Sequence, residues 1–168
     1  MSFVLAGLLL AAPVEAAGFT GAWALSSEAR GFEATLAAWC RGFPVLLRGL
    51  ACDAVARRVQ PYPRVELELT ETVERFTLGP WGPVELVLGE KPAPRRNERD
   101  EVVASSAWVD GAHLRHRFAH GAGVRFEVLE LMGPDTLVVR TTVESPHFPS
   151  PLRFEATYRR VERSRPGL

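Results

Sequence analysis

Leu152-Arg153-Phe154-Glu155-Ala156-Thr157-Tyr158-Arg159-Arg160-Val161 is the stretch from which the fold is read. Leu152, Phe154, Ala156 and Tyr158 fall on one side of an extended chain. Arg153, Glu155, Thr157 and Arg159 fall on the other, the period of two that marks a strand with one solvated face. Working back toward Pro63, the pattern recurs with no helical interruption. Leu137 to Val143, Val124 to Met132 and Val102 to Val109 read as strands, separated by Gly133-Pro134-Asp135, Gly121 to Gly123 and the hairpin pair Asp110-Gly111. Leu114, His116 and Phe118 alternate with His113, Arg115 and Arg117, and Val65, Leu67 and Leu69 with Arg64, Glu66 and Glu68. Phe76 and Leu78, the turn Gly79-Pro80-Trp81-Gly82-Pro83, and Val84 to Leu88 supply two shorter strands. Lys91 to Asp100, charged and rich in Pro and Arg, reads as a long exposed connection. One strand is ambiguous: Val124, Phe126 and Val128 alternate as cleanly as Arg125, Glu127 and Leu129, so either face can line the interior.

Upstream of Pro63 the periodicity changes. Phe19 to Leu25 is a short strand, after which Ser26-Ser27-Glu28 marks a helix start, with Ser27 as N-cap and Glu28 near the positive end of the dipole. Phe32, Leu36 and Trp39 then share a helical face. A second helix is expected from about Val45 to Val59, ended by Pro61 and Pro63. The order is one strand, two helices and seven to nine hairpin-linked strands. It predicts an all-β fold: a closed or clam-like antiparallel up-and-down barrel of about ten strands, with a two-helix lid after the first strand and room inside for a ligand.

At 168 residues the chain suits one domain, expected over 18–163, with 164–168 a disordered tail. Apolar residues at 46% and charged residues at 24% fit a globular protein and argue against wholesale disorder. Twenty basic residues balance twenty acidic ones, so nucleic acid is not expected as a partner. The basic residues are arginines apart from Lys91. Residues 1–17 hold an apolar run, Phe3 to Ala12, then Pro13 and Val14-Glu15-Ala16, which resembles a small-residue cleavage site. The run is too short to span a bilayer and lacks a basic flank. It is read either as a cleaved signal peptide, which makes the protein secreted or periplasmic, or as an apolar N-terminal extension.

Two cysteines, Cys40 and Cys52, exclude a disulfide scaffold and a cysteine-built zinc site. They are either small buried side chains or a disulfide between the two helices, the latter only in an oxidising compartment. His113 and His116 face opposite sides of a strand, so no metal is expected. No Ser or Cys sits in a recognisable nucleophile turn. His116 shares the face of Leu114 and Phe118 and is expected inside as a neutral polar group.

The order of elements resembles the intracellular fatty-acid- and retinoid-binding proteins. Phe19-Thr20-Gly21-Ala22-Trp23-Ala24-Leu25 with Ser27-Glu28 is similar to that family's opening. Leu88-Gly89-Glu90, Val109-Asp110-Gly111 with Leu114 and His116, Glu130-Leu131 and Tyr158-Arg159-Arg160-Val161 follow in the family's order, over about Gly18 to Glu162. The resemblance implies a ten-stranded clam, a monomer, a cytoplasmic setting and non-enzymatic carriage of a small lipophilic ligand (fatty acid, retinoid or neutral lipid) with no cofactor. Transient membrane contact through the helical lid is part of the same expectation. Tyr158, His116, Phe154, Phe118, Leu129 and Ala156 would contact the ligand, and Phe32, Leu36, Val45, Leu46 and Leu50 would line the lid. The family's two carboxylate-binding arginines are replaced here by Leu129 and Ala156, leaving only Tyr158. Neutral ligands are therefore expected to bind at least as well as acids. Two alternatives stand beside the carrier: a barrel enzyme, an isomerase or a haem protein using His116, and a secreted lipocalin-like carrier.

Overall fold

A computed structural model describes residues 18–27, 29–78, 83–89, 91–96, 101–148 and 150–162. The expectations for 1–17 and for the 164–168 tail lie outside the described residues, as does the placement of Glu28. Among the described residues ten strands form one antiparallel sheet: β1 (Gly21–Leu25), β2 (Arg64–Leu69), β3 (Val73–Leu78), β4 (Pro83–Val87), β5 (Ala93–Arg96), β6 (Val102–Asp110), β7 (His113–His120), β8 (Gly123–Leu131), β9 (Thr136–Glu144) and β10 (Leu152–Val161). Helices α1 (Phe32–Cys40) and α2 (Arg48–Val59) lie between β1 and β2.

The strand order β4-β3-β2-β1-β10-β9-β8-β7-β6-β5 is an up-and-down meander whose first strand pairs with its last. Trp23 sits opposite Arg160 on that seam. The Arg160 guanidinium lies over the Trp23 ring at 4.2 Å and donates to the Thr20 and Gly18 carbonyls at 2.7 and 2.8 Å. β4 and β5 are the sheet's two ends. Past β4, Leu88 bridges to Ala107 of β6, and the Gly89 N–H donates to the Ala107 carbonyl at 2.8 Å, so the barrel is nearly closed. Its interior below the cavity is filled by Phe19, Trp23, Leu67, Leu114, Leu129, Leu137, Ala156 and Tyr158, all buried.

Three local expectations are corrected. The first helix does not start at Ser27. Arg30 still pairs as a strand with Glu155, exchanging backbone hydrogen bonds of 2.8 and 3.1 Å, and α1 starts only after Gly31. Gly31 takes φ 83°, left-handed backbone that a side chain would strain, and this turns the chain from β-bridge into helix. The second helix starts at Arg48 rather than Val45, because Val45 to Leu47 form turns. The connection from Lys91 contains an ordered strand, β5, which pairs with Val102–Ser105. Pro94 is accommodated there because β5 is an edge strand, where proline is tolerated.

Candidate functional site

A cavity of about 540 Å³ occupies the helical end of the barrel. Phe76, Val84, Val103, Phe118, Val124 and Val143 give it apolar walls, and Val55 and Val59 of α2 reach it from the lid. Trp39 and Phe148 close one side, their rings stacked at 3.8 Å, with the Trp39 indole N–H donating to the Ser150 carbonyl at 2.7 Å. The mouth carries charge: Arg58 and Glu101 pair at 3.5 Å, with Arg96 and Glu144 nearby on the lining.

Beneath the cavity lies a buried cluster of charged side chains from three strands. The register of β8 resolves the ambiguity of that strand: Glu127 and Leu129 are buried, and Arg125 is only 11% exposed. Arg125 Nε donates to Glu127 Oε1 at 2.7 Å. Glu127 Oε2 faces Nδ1 of His116 on β7 at 3.4 Å, and His116 Nε2 lies 2.7 Å from Glu74 Oε1 on β3. Phe76 and Phe118, which wall the cavity, flank the imidazole at 5.2 and 5.6 Å. Both ring nitrogens thus meet carboxylate oxygens, so both donate and the ring carries a proton. Burial works against that charge, but Glu74 and Glu127 outweigh it and raise the pKa to about 10. The expected neutral histidine is corrected accordingly. Burial likewise opposes the charge on Glu127, yet Arg125 and His116 hold its carboxyl below the ordinary value. On the cavity wall, Arg125 lies over the Tyr62 ring at 4.5 Å, and burial pushes the Tyr62 hydroxyl up to about 12.

Of the residues expected to meet a ligand, only Phe118 lies on the cavity surface. Leu129, Ala156 and Tyr158 belong to the packed core below it. His116 lies behind Phe76 and Phe118, and the haem reading loses its axial ligand because both imidazole nitrogens are engaged. Phe32, Leu36 and Phe154 form a separate cluster where α1 rests on β10, with the Phe32 and Phe154 rings 5.2 Å apart. Leu50 is 75% exposed, on the outer side of α2, and Val45 and Leu46 are also outside. For Leu129, Ala156 and Tyr158 the reason is that packed side chains fill the barrel below the level of Phe76. Cys40 and Cys52 are joined, with Cα atoms 5.5 Å apart, tying the end of α1 to α2. Among the described residues no group of three or more His, Cys, Asp or Glu could hold a metal.

Glu74 and Tyr62 were not singled out in the sequence. Glu74 had a signal, since it shares a phase with Phe76 and Leu78. Tyr62 had none, lying between two prolines outside any periodic segment.

Comparison with solved structures finds the same fold, a ten-stranded barrel with two helices after its first strand, in proteins whose names record lipid or fatty-acid binding. The chain is similar to apo lipid binding protein 8 of Caenorhabditis elegans, at 15% identity and TM-score 0.57, covering 89% of this chain and 100% of that one. Fatty-acid-binding protein 1 of Echinococcus granulosus matches at 18% identity and TM-score 0.54, over 86% and 98% of the two chains. A Schistosoma mansoni fatty acid binding protein in complex with arachidonic acid matches at 18% and 0.53, over 88% and 98%. No protein-family model matches the chain, and no curated protein matches it by sequence.

Proposed function

We propose that this protein is a monomeric, non-enzymatic carrier that takes up a small lipophilic ligand in the cavity beneath its helices. The observation that carries the reading is the cavity itself. Its 540 Å³ falls within the roughly 300–1,000 Å³ usual for small-molecule sites, and its aromatic and aliphatic walls carry charged groups at the mouth and Arg125 with Tyr62 deeper on the wall. Apolar burial at about 25 cal/mol per Å² is then the source of affinity. The solved likeness carrying arachidonic acid supports a lipid as the ligand class.

The lid offers a matching surface for loading. Val45, Leu46, Leu47 and Leu50 are 77, 95, 58 and 75% exposed at the tip joining the helices. Arg41 and Arg48 flank this stretch in the chain, and Asp53 is the one acidic residue between 41 and 59. An apolar tip with basic flanks is suited to an anionic lipid surface.

Titration with Nile red, a neutral lipophilic dye, tests the carrier: we expect saturable one-to-one binding, displaced by long-chain lipids and accompanied by a co-purifying lipid mass in native mass spectrometry. Dye transfer to anionic vesicles should be slower for Leu46→Glu than for the wild type. No saturable binding and no bound mass would overturn the carrier reading.

A further inference from the structure

We propose that Arg125 reads a neutral hydrogen-bond acceptor, the carbonyl of a long-chain ester, amide or ketone, and that Glu127 sets this preference by cancelling the charge a carboxylate would need. The proposal rests on the carrier reading and names the head group for it.

Arg125 is the member of the buried cluster that reaches the cavity. Its Nε donates to Glu127 at 2.7 Å and its Nη1 to the Val59 carbonyl at 3.3 Å. A guanidinium has five N–H groups, so donors remain on the cavity side. Tyr62, whose ring lies 4.5 Å from the guanidinium, keeps its proton and lines the same wall. The wall therefore offers donors.

The charge behind those donors is already balanced. Glu127 lies between Arg125 and His116, and His116 lies between Glu127 and Glu74, so two carboxylates face one guanidinium and one imidazolium. His116, Glu74 and Glu127 are at most 3% exposed and Arg125 is 11% exposed, so water screens little of this. At the mouth, Arg58 is likewise paired with Glu101. An entering carboxylate would be stripped of water and find a cation whose charge Glu127 already holds. A neutral carbonyl loses far less hydration and accepts the same N–H bond. Arg125 thus acts as a donor without a net field.

Displacement of Nile red by palmitate, methyl palmitate and hexadecane at neutral pH tests this in the wild type without any substitution. Methyl palmitate should bind several-fold tighter than palmitate and tighter than hexadecane. In Glu127→Gln the guanidinium is uncompensated, and the acid should gain about tenfold over the ester, the size of a hydrogen bond to an unbalanced charge. In Arg125→Met the ester's advantage over hexadecane, read as the ratio of their displacement constants, should vanish. Palmitate bound tenfold tighter than its ester by the wild type would overturn the proposal while leaving the carrier reading standing. Equal binding of all three would overturn it too, whatever the variants do. Failure of every lipid and of Nile red would instead overturn the carrier reading beneath it.

Discussion

His116 holds a carboxylate at each ring nitrogen, so the imidazolium becomes part of what keeps the interior together. Its pKa rises from 6.5 to about 10 in the folded chain. The folded state therefore binds this proton more tightly than the unfolded one, and the resulting stability is complete below pH 6.5. It is lost progressively as the pH rises toward about 10. Urea midpoints should fall across that window, and His116→Gln should flatten the fall while lowering stability by about 3–5 kcal/mol, the usual cost of leaving a buried ion unpartnered. A wild-type midpoint independent of pH over that range would contradict the assignment. Glu127 acts with the opposite sign, since its lowered pKa adds stability above the ordinary carboxylate value that is lost in acid. Sequence periodicity placed His116 inside, because it shares a phase with Leu114 and Phe118. It could not assign the charge, which depends on Glu74 reaching across from a strand 42 residues away.

The strands were legible because alternation is a local property, and each hairpin signal between Asp110 and Asp135 is followed by the expected return. The helix boundaries were not, since they depend on contacts with distant residues: the Arg30–Glu155 pairing delays α1, and the edge position of β5 admits Pro94. α2 is the element held least by burial. It has no buried residue; Val55, Ala56 and Val59 are its partly buried apolar contacts, joined by the exposed Arg58–Glu101 pair and the Arg125 bond to the Val59 carbonyl. The bond between Cys40 and Cys52, 12 residues apart, is then its firmest tie. In the chain-entropy account a loop of that size contributes roughly 2–3 kcal/mol. Reduction, or Cys40→Ser with Cys52→Ser, should raise amide exchange across Arg48–Val59 and speed release of Nile red, with exchange in β8, β9 and β10 unchanged. Equal protection of α2 in both redox states would show that packing alone holds it.

Across the whole molecule, the sheet closes by pairing at β1–β10 and stays open at its two ends, β4 and β5. The cavity lies against that opening, with Pro83 and Val84 on one edge and Arg96 and Val103 near the other. Below it, among the described residues, Leu88 and Gly89 join the β4 side to Ala107 by backbone contacts. The Glu74–His116 pair bridges the same division through the interior, because β3 neighbours β4 while β7 neighbours β6. A fully buried ion pair at 2.7 Å between the two sides is therefore placed to limit how far the sheet edges part. Glu74→Gln keeps the shape of the side chain but removes its charge, which leaves a hydrogen bond and loses most of the attraction. The edges should then part more often. Amide exchange should rise in Val84–Leu88 and Val102–Ala107 more than in β1, β9 or β10, and Nile red should both enter and leave faster, with a smaller change in affinity than in either rate. Exchange that rises evenly around the barrel would mean that Glu74 contributes to global stability alone, and the interior pair would then have no part in gating the mouth.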